Sequence, residues 1–161
     1  MKYSTSLDTS AKAITIGVTI LFAIIIFGQY ALVSEEDVNF PIYIAIALLL
    51  IYLLAFSLRP IHYVITSQQV SVHRLFSDVK IERNKIRSVE LLNKDQLGWT
   101  IRTFGVGGLF GYYGKFANSK IGTMTWYTTR QDRTILIRTV DDKKIILTPD
   151  DPEKFVADFN A

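Results

Sequence analysis

Two long stretches without charge occupy the first third of the chain and restrict how it can fold. No Asp, Glu, Lys or Arg occurs at residues 13–34 or 38–58. A helix of about 20 residues rises roughly 30 Å, the thickness of a bilayer's hydrocarbon core. Neither stretch shows the polar stripe of a core helix in a soluble bundle, and the first is too long for a signal-peptide h-region. The sequence therefore predicts a transmembrane hairpin over residues 1–58, with spans at about 13–33 and 40–58.

The charges around these stretches predict an orientation. The connector at residues 34–39 is short and acidic and contains no Lys or Arg, whereas Lys2, Lys12 and Arg59 lie on the opposite side. Because positive residues favour the cytoplasmic side, we expect both termini in the cytoplasm and the connector outside. Only Gln29 is strongly polar in the first span. The hairpin therefore has the composition of an anchor and not that of a transport path.

After Pro60 the pattern changes to the alternation typical of β-strands. Residues 61–66 and 70–73 flank a polar turn and predict a β-hairpin. A second turn at 76–78 precedes a short strand at 79–81, and residues 86–92 fit either a strand or a helical turn.

The C-terminal half predicts more strands and one helix. β-branched and aromatic runs at 123–129, 134–140 and 143–148 indicate a three-strand meander. Asp151, Pro152 and Glu153 then give a helix start, with an acidic N-cap and a proline in the first turn. Together these elements predict an all-β split barrel of about seven strands over residues 59–161, closed by a short helix.

A tract rich in glycine and aromatic residues, residues 102–116, separates the two groups of strands; we call it the glycine tract. It contains five of the nine glycines. Phe110 breaks the dinucleotide-binding spacing, and Gly114-Lys115 is followed by Phe116 where a Walker loop needs Ser or Thr. We expect these glycines to permit positive φ and close backbone approach, with the aromatic rings against the barrel or at the bilayer surface.

The order of motifs along this half resembles the bacterial pleckstrin-homology-like (PH-like) domains. The similarity covers roughly residues 60–159. It is carried by the glycine tract, by Gly122-x-Met124-x-Trp126-Tyr127 and by the stretch from Leu147 to Val156. The resemblance implies two nearly orthogonal antiparallel sheets capped by a C-terminal helix, and a membrane-anchored protein of the bacterial inner membrane with residues 59–161 in the cytoplasm. Fold alone does not define an activity.

Residues that could support catalysis are few. His62 and His73 fall opposite each other in the predicted hairpin, but no third metal ligand is evident. The chain contains no cysteine, and no serine lies in a nucleophile-elbow pattern. We therefore expect a protein that is not an enzyme and that has no catalytic residue, cofactor or metal.

Charge is distributed unevenly over the predicted domain. Residues 59–148 hold 15 Lys and Arg against 7 Asp and Glu, a net charge of +8, and residues 149–161 hold 1 against 4, a net charge of −3. A basic surface beside an anionic leaflet favours binding of lipid head groups, although the same charges also fit a solvated surface. The aromatic residues are not interleaved with the basic ones, so nucleic acid is not an expected partner. The candidate head-group contacts are Lys80, Arg83, Lys85 and Arg87.

The favoured hypothesis is a membrane-anchored, non-enzymatic interaction module held at the inner leaflet, which binds a protein segment or an anionic lipid head group. The alternative is a structural, self-associating membrane protein or an accessory subunit of a larger complex. Expected partners are thus the bilayer and either another protein or a second copy. The candidate partner-binding residues are Phe104, Gly107, Gly108, Phe110, Tyr112, Tyr113 and Lys115.

Overall fold

The computed structural model describes residues 1–32 and 39–161. Most of the predicted connector, residues 34–38, lies outside the described residues. Two apolar helices are followed by a domain rich in β-strands and a short C-terminal helix, as the sequence predicts. The four helices are α1 (Thr9–Leu32), α2 (Asn39–Leu58), α3 (Lys94–Leu97) and α4 (Pro152–Asn160).

Helices α1 and α2 are long and apolar enough to cross a membrane. Their apolar side chains are mostly exposed, as Phe27 illustrates at 75%. A helix in the core of a soluble protein would bury such residues. Two polar contacts join the helices: the Thr19 and Tyr52 hydroxyls lie 2.8 Å apart, and Gln29 Nε2 donates to the Pro41 carbonyl at 3.2 Å.

The first sheet has four strands in the order β1-β2-β3-β4, all antiparallel. The predicted hairpin of β2 and β3 is confirmed, and so is the short strand that follows it. The additional strand β1 precedes α1, and its Tyr3 lies opposite Tyr63 of β2. The N-terminal residues are therefore part of the sheet domain as well as the lead into the first helix. The strands are β1 (Lys2–Ser4), β2 (His62–Ile65), β3 (Gln69–His73) and β4 (Val79–Glu82).

The second sheet has six strands in the order β5-β9-β10-β8-β7-β6. Residues 86–92, which the sequence left ambiguous, form β5 after a 3₁₀ turn at Arg83–Lys85. With the four strands of the first sheet, the described residues contain ten strands and not about seven. The strands are β5 (Ile86–Leu92), β6 (Ile101–Gly108), β7 (Gly111–Asn118), β8 (Gly122–Thr128), β9 (Thr134–Thr139) and β10 (Lys144–Leu147).

The predicted meander of the last three strands is wrong in its order. Strand β10 lies between β8 and β9, and it pairs with β8 in parallel and with β9 antiparallel. The implied all-antiparallel pairing is therefore also incorrect at this position. The short connection between β8 and β9 suggests that these two strands are neighbours. Instead β10 lies between them, and local residue patterns do not encode this order.

The glycine tract forms two paired strands, β6 and β7, and not a linker between strand groups. Gly105 and Gly114 lie opposite each other with φ of 106° and 126°. A Cβ on either residue would lie 2.3 Å from a carbonyl oxygen of the other strand. The expected roles of positive φ and close backbone approach are thus confirmed at this pair.

The six-stranded sheet is covered on both faces. One face packs against the first sheet and α4, around Tyr63, Ile137 and Phe155. The other packs against the start of α1 at Ala11 and against α3. The predicted start of α4 is confirmed, because the Asp151 side chain accepts a hydrogen bond from the Lys154 amide at 3.1 Å.

Candidate functional site

The turn of the β6–β7 hairpin lies against both apolar helices. The Phe110 amide donates to the Thr15 hydroxyl of α1 at 2.9 Å. The Phe110 ring meets Tyr52 and Phe56 of α2 edge to face, with ring centroids 4.9 and 5.2 Å apart. A Cβ on Gly108 would lie 2.4 Å from Ile14 Cδ1 and force Ile14 to shift, and the φ of 118° also disfavours a side chain there. The glycine tract therefore joins the sheet domain to the helix pair.

The two tyrosines of β7 make further contacts with the helical region. The Tyr113 hydroxyl donates to the Ala55 carbonyl of α2, and the Tyr112 hydroxyl donates to Asp8 Oδ1 at 3.3 Å. Burial raises the pKa of Tyr113, and burial together with the Asp8 carboxylate raises the pKa of Tyr112 to about 12. An ordinary tyrosine hydroxyl, with a pKa of about 10, is already a donor near neutral pH, and the raised pKa values keep both hydroxyls protonated to higher pH.

These contacts divide the predicted partner-binding residues into two groups. Phe110, Tyr112 and Tyr113 are buried, each with 7% or less of its surface exposed. In contrast, the Phe104 side chain is 77% exposed, and Lys115 lies across from it on β7. Phe104 and Lys115 are therefore available to a partner in this conformation. The partner-binding role of this set stays a prediction.

A groove of about 600 Å³ lies between β4, an edge strand of the smaller sheet, and the six-stranded sheet. Its apolar lining includes Val79 and Ile81 of β4, Phe104 and Val106 of β6, and Leu58 at the end of α2. This volume lies within the range of small-molecule sites. The groove thus begins beside the point where the second apolar helix ends.

Positive charge predominates around the groove. Lys80 of β4 is among the lining residues, and Lys115 on β7 donates to the Thr125 hydroxyl at 2.7 Å. Two acidic residues are among the described lining residues, and each is near a lysine: Glu82 lies 2.8 Å from Lys85 and Asp141 lies 3.8 Å from Lys143. The groove therefore favours an anionic group. Its charged lining residues are Arg74, Lys80, Lys85, Lys115, Lys143, Glu82 and Asp141.

The four predicted head-group contacts do not act as one cluster. Lys80 and Lys85 line the groove. The Arg83 guanidinium lies over the Phe159 ring, 4.5 Å from its centroid, and donates to the Phe159 carbonyl. Arg87 is exposed on β5 and is not part of the groove lining. The four residues are close in sequence, but only Lys80 and Lys85 are among the groove-lining residues.

The groove also contains basic residues that the sequence analysis missed. Arg74 follows β3 and Lys143 precedes β10, about seventy residues later. Both reach the groove only through the packing of the two sheets. In the sequence, Arg74 follows one predicted strand and Lys143 begins another, and neither position gives a signal for a shared site.

The two histidines are opposite each other, as predicted. Their rings stack with centroids 4.5 Å apart, and His73 Nδ1 lies 2.9 Å from Asp78 Oδ2. The pKa of His62 is lowered, chiefly by burial and then by Lys2 and His73. In the described parts of the chain, no three His, Cys, Asp or Glu residues are grouped so that they could hold a metal.

Two packed sheets, a C-terminal helix over their shared core and a basic groove at the open side define a PH-like split barrel carried on two apolar helices. A family model described as a bacterial PH domain matches residues 61–161. The chain therefore belongs to the bacterial PH domain family. No curated protein and no solved structure matches the chain.

Proposed function

We propose that the protein is a membrane-anchored, non-enzymatic interaction module at the inner leaflet of the bacterial cytoplasmic membrane, and that its groove binds an anionic lipid head group. The observation that carries this proposal is the position of the basic groove. Leu58, the last residue of α2, lines the groove together with Lys80 and Lys115. A head group at the end of α2 would thus meet cationic side chains.

The anchoring part of the proposal is supported by how the helices join the domain. Strand β1 precedes α1 and pairs with β2, so removal of α1 as a signal peptide would also remove an edge strand. The Ser6 amide additionally donates to Asp150 Oδ1 at 3.0 Å. Both ends of the helix pair therefore enter the same folded domain, which suits a retained anchor.

The lipid part is supported by the chemistry of the groove. A phosphate is a hydrogen-bond acceptor with negative charge, and lysine and arginine are its usual donors. Each basic residue near an anionic leaflet contributes about 1 kcal/mol to membrane association. The apolar wall beside the lysines suits the glycerol and the upper acyl chain of a lipid. A free phosphate would leave this wall uncovered.

The test measures lipid binding by full-length protein in detergent, using native mass spectrometry with phosphatidylglycerol and phosphatidylcholine. The double variant Lys80→Gln with Lys115→Gln should lose most phosphatidylglycerol binding, roughly 30-fold if each charge contributes about 1 kcal/mol. The control is Arg87→Gln with Lys154→Gln, which removes the same charge away from the groove. Equal loss in both variants would show that only general charge matters and would contradict the groove as the site.

A second candidate partner is an extended protein segment, and the exposed edge of β6 favours it. Among the described strands β6 pairs only with β7, and residues 101–105 are exposed along its length. An unpaired edge of this kind can accept another strand through backbone hydrogen bonds. Apolar side chains at Ile101 and Phe104 would add contact area.

Photocrosslinking from position 101 in intact membranes distinguishes this candidate from the lipid proposal. A photoreactive residue at Ile101 should crosslink to another polypeptide if β6 is a docking edge. The same residue at Leu91, exposed on the edge strand β5, is the matched control. A crosslink to a second copy of the chain would instead favour the self-associating alternative.

A further inference from the structure

The turn between β3 and β4 presents two adjacent apolar side chains to the outside. Leu75 is 51% exposed and Phe76 is 83% exposed. Polar residues normally occupy the tips of turns in water, so two large apolar residues in succession are unusual there. We call residues 75 and 76 the apolar turn.

The apolar turn is attached to the end of the second apolar helix. The Leu75 amide donates to the Ser57 carbonyl at 3.3 Å, and Ser57 lies in the last turn of α2. The preceding residue, Arg74, lines the groove together with Leu58. The apolar turn therefore lies at the level where α2 ends.

Hydrogen bonds within the turn fix its shape. Arg74 Nε donates to the Ser77 carbonyl at 2.8 Å and Arg74 Nη2 donates to the Ser77 hydroxyl at 2.9 Å. Where the turn meets the strands, His73 Nδ1 lies 2.9 Å from Asp78 Oδ2. Because the turn is already ordered, binding of Phe76 to a surface costs little conformational entropy of the backbone.

The surroundings of the apolar turn match the chemistry of a lipid head-group layer. Phe104 adds a third exposed apolar side chain on the groove rim. Two arginines lie close by, Arg74 within the turn and Arg59 just after α2, where its guanidinium lies 4.7 Å from the Phe56 ring centroid. Aromatic rings and basic side chains are favoured together at the boundary between acyl chains and head groups.

We infer that the apolar turn inserts into the boundary between head groups and acyl chains of the leaflet that α2 enters. The inference rests on the proposed membrane anchoring. Phe76 and Leu75 then form a third membrane contact beside α1 and α2. A third contact restricts the tilt of the sheet domain, and the groove rim at Arg74 and Phe104 is held against the head groups.

The experiment places a tryptophan at the turn and measures its quenching by brominated lipid. Full-length protein carrying Trp99→Phe, which removes an indole that is 88% exposed, is reconstituted into phosphatidylglycerol and phosphatidylcholine vesicles. Trp126 is buried and gives a constant background. F76W is added to this protein, and F27W, on the exposed surface of α1, is added to a separate copy as the reference for an anchored helix.

The expected result for F76W is a blue-shifted emission, strong quenching by lipids brominated near the glycerol end of the chain and weak quenching by aqueous acrylamide. Should F76W be quenched by acrylamide and by no brominated lipid while F27W is quenched by lipid, insertion is overturned and anchoring stands. If neither variant is quenched by brominated lipid, the anchoring proposal fails, and the insertion fails with it.

Discussion

Gly105 and Gly114 let β6 and β7 approach each other more closely than side chains would permit. Their φ values lie in a region that residues with a Cβ rarely adopt, and the opposite carbonyl oxygen occupies the space that a Cβ would need. The hairpin that reaches the helices therefore depends on two backbone positions and not only on its aromatic side chains.

Replacing Gly114 by Ala should destabilise the sheet domain by about 2–4 kcal/mol, because the substitution combines an unfavourable φ with a backbone clash. Gly107→Ala is the matched control, since the nearest atoms to its added Cβ belong to the Arg102 side chain, at 3.2 Å. Thermal unfolding in detergent, followed by the fluorescence of Trp126, which stacks on Phe116 of β7, measures the difference. Equal melting temperatures for the two variants would contradict this account.

His62 makes stability depend on pH. Burial, Lys2 of β1 and His73 of β3 lower its pKa in the folded chain, while Asp78 before β4 opposes them. Below the ordinary histidine pKa of about 6.5, the unfolded chain binds the proton more readily than the folded chain does. The stability contributed by neutral His62 is therefore lost as the pH falls below about 6.5, until the lowered pKa of the folded state is reached.

His62→Gln should remove this part of the pH dependence. Melting temperatures of the wild type and the variant are compared at about pH 7.5 and about pH 5. The wild type should lose more stability than the variant between these values. A difference between the two proteins that does not change with pH would show that His62 does not titrate as described.

At the scale of elements, the β6–β7 hairpin connects the helices to the groove. Its turn contacts α1 through Thr15 and α2 through Phe110, and its body supplies Phe104 and Lys115 to the groove. Phe110 is only 7% exposed, so its amide needs an acceptor within the protein. Thr15 supplies the acceptor.

Thr15→Val should therefore loosen the turn, since it leaves the Phe110 amide without its acceptor. An unsatisfied buried group costs about 1–3 kcal/mol, equivalent to roughly 5- to 150-fold faster hydrogen exchange if the turn opens locally. Thr15→Ser keeps the hydroxyl and is the control. Hydrogen exchange of the peptide that contains residues 108–111 measures the effect, and unchanged exchange in the valine variant would refute the role of Thr15.

Elements with strong local signals could be predicted from the sequence. The β2–β3 hairpin follows from alternation on both sides of a polar turn, and α4 follows from Asp151 and Pro152. Strand β1 could not be predicted, because three residues beside an apolar helix give no periodicity and their partner at Tyr63 is distant in sequence. The glycines of β6 and β7 hid two strands, since glycine weakens every strand signal.

The groove was predicted only in part for a related reason. Lys80 and Lys85 were selected as a local cluster, and Lys115 was selected from the glycine tract. Arg74 and Lys143 join them only because β4 and the six-stranded sheet pack together. Sites built from segments distant in sequence require the fold to be known, even when each residue type is correctly recognised.

At the scale of the whole molecule, the pair of apolar helices and the sheet domain are connected at three positions. Strand β1 leads into α1, α2 leads into β2, and the β6–β7 turn lies against both helices. A domain attached in this way cannot swing freely on a linker, so the side of the membrane on which it lies also fixes the position of the groove. Orientation is thus part of the proposed function and not a separate property.

The absence of cysteine makes the orientation directly testable, because any single introduced cysteine is a unique label site. Glu36→Cys lies in the acidic connector, outside the described residues, and Ser119→Cys lies in the exposed β7–β8 turn. A membrane-impermeant maleimide should label Glu36→Cys in cells whose cytoplasmic membrane is intact, and Ser119→Cys only after that membrane is permeabilised. The cysteine-free parent reports background. Lys2, Lys12 and Arg59 lie at the helix ends opposite the connector. The reverse labelling pattern would therefore contradict both the positive-inside prediction and a groove at the inner leaflet.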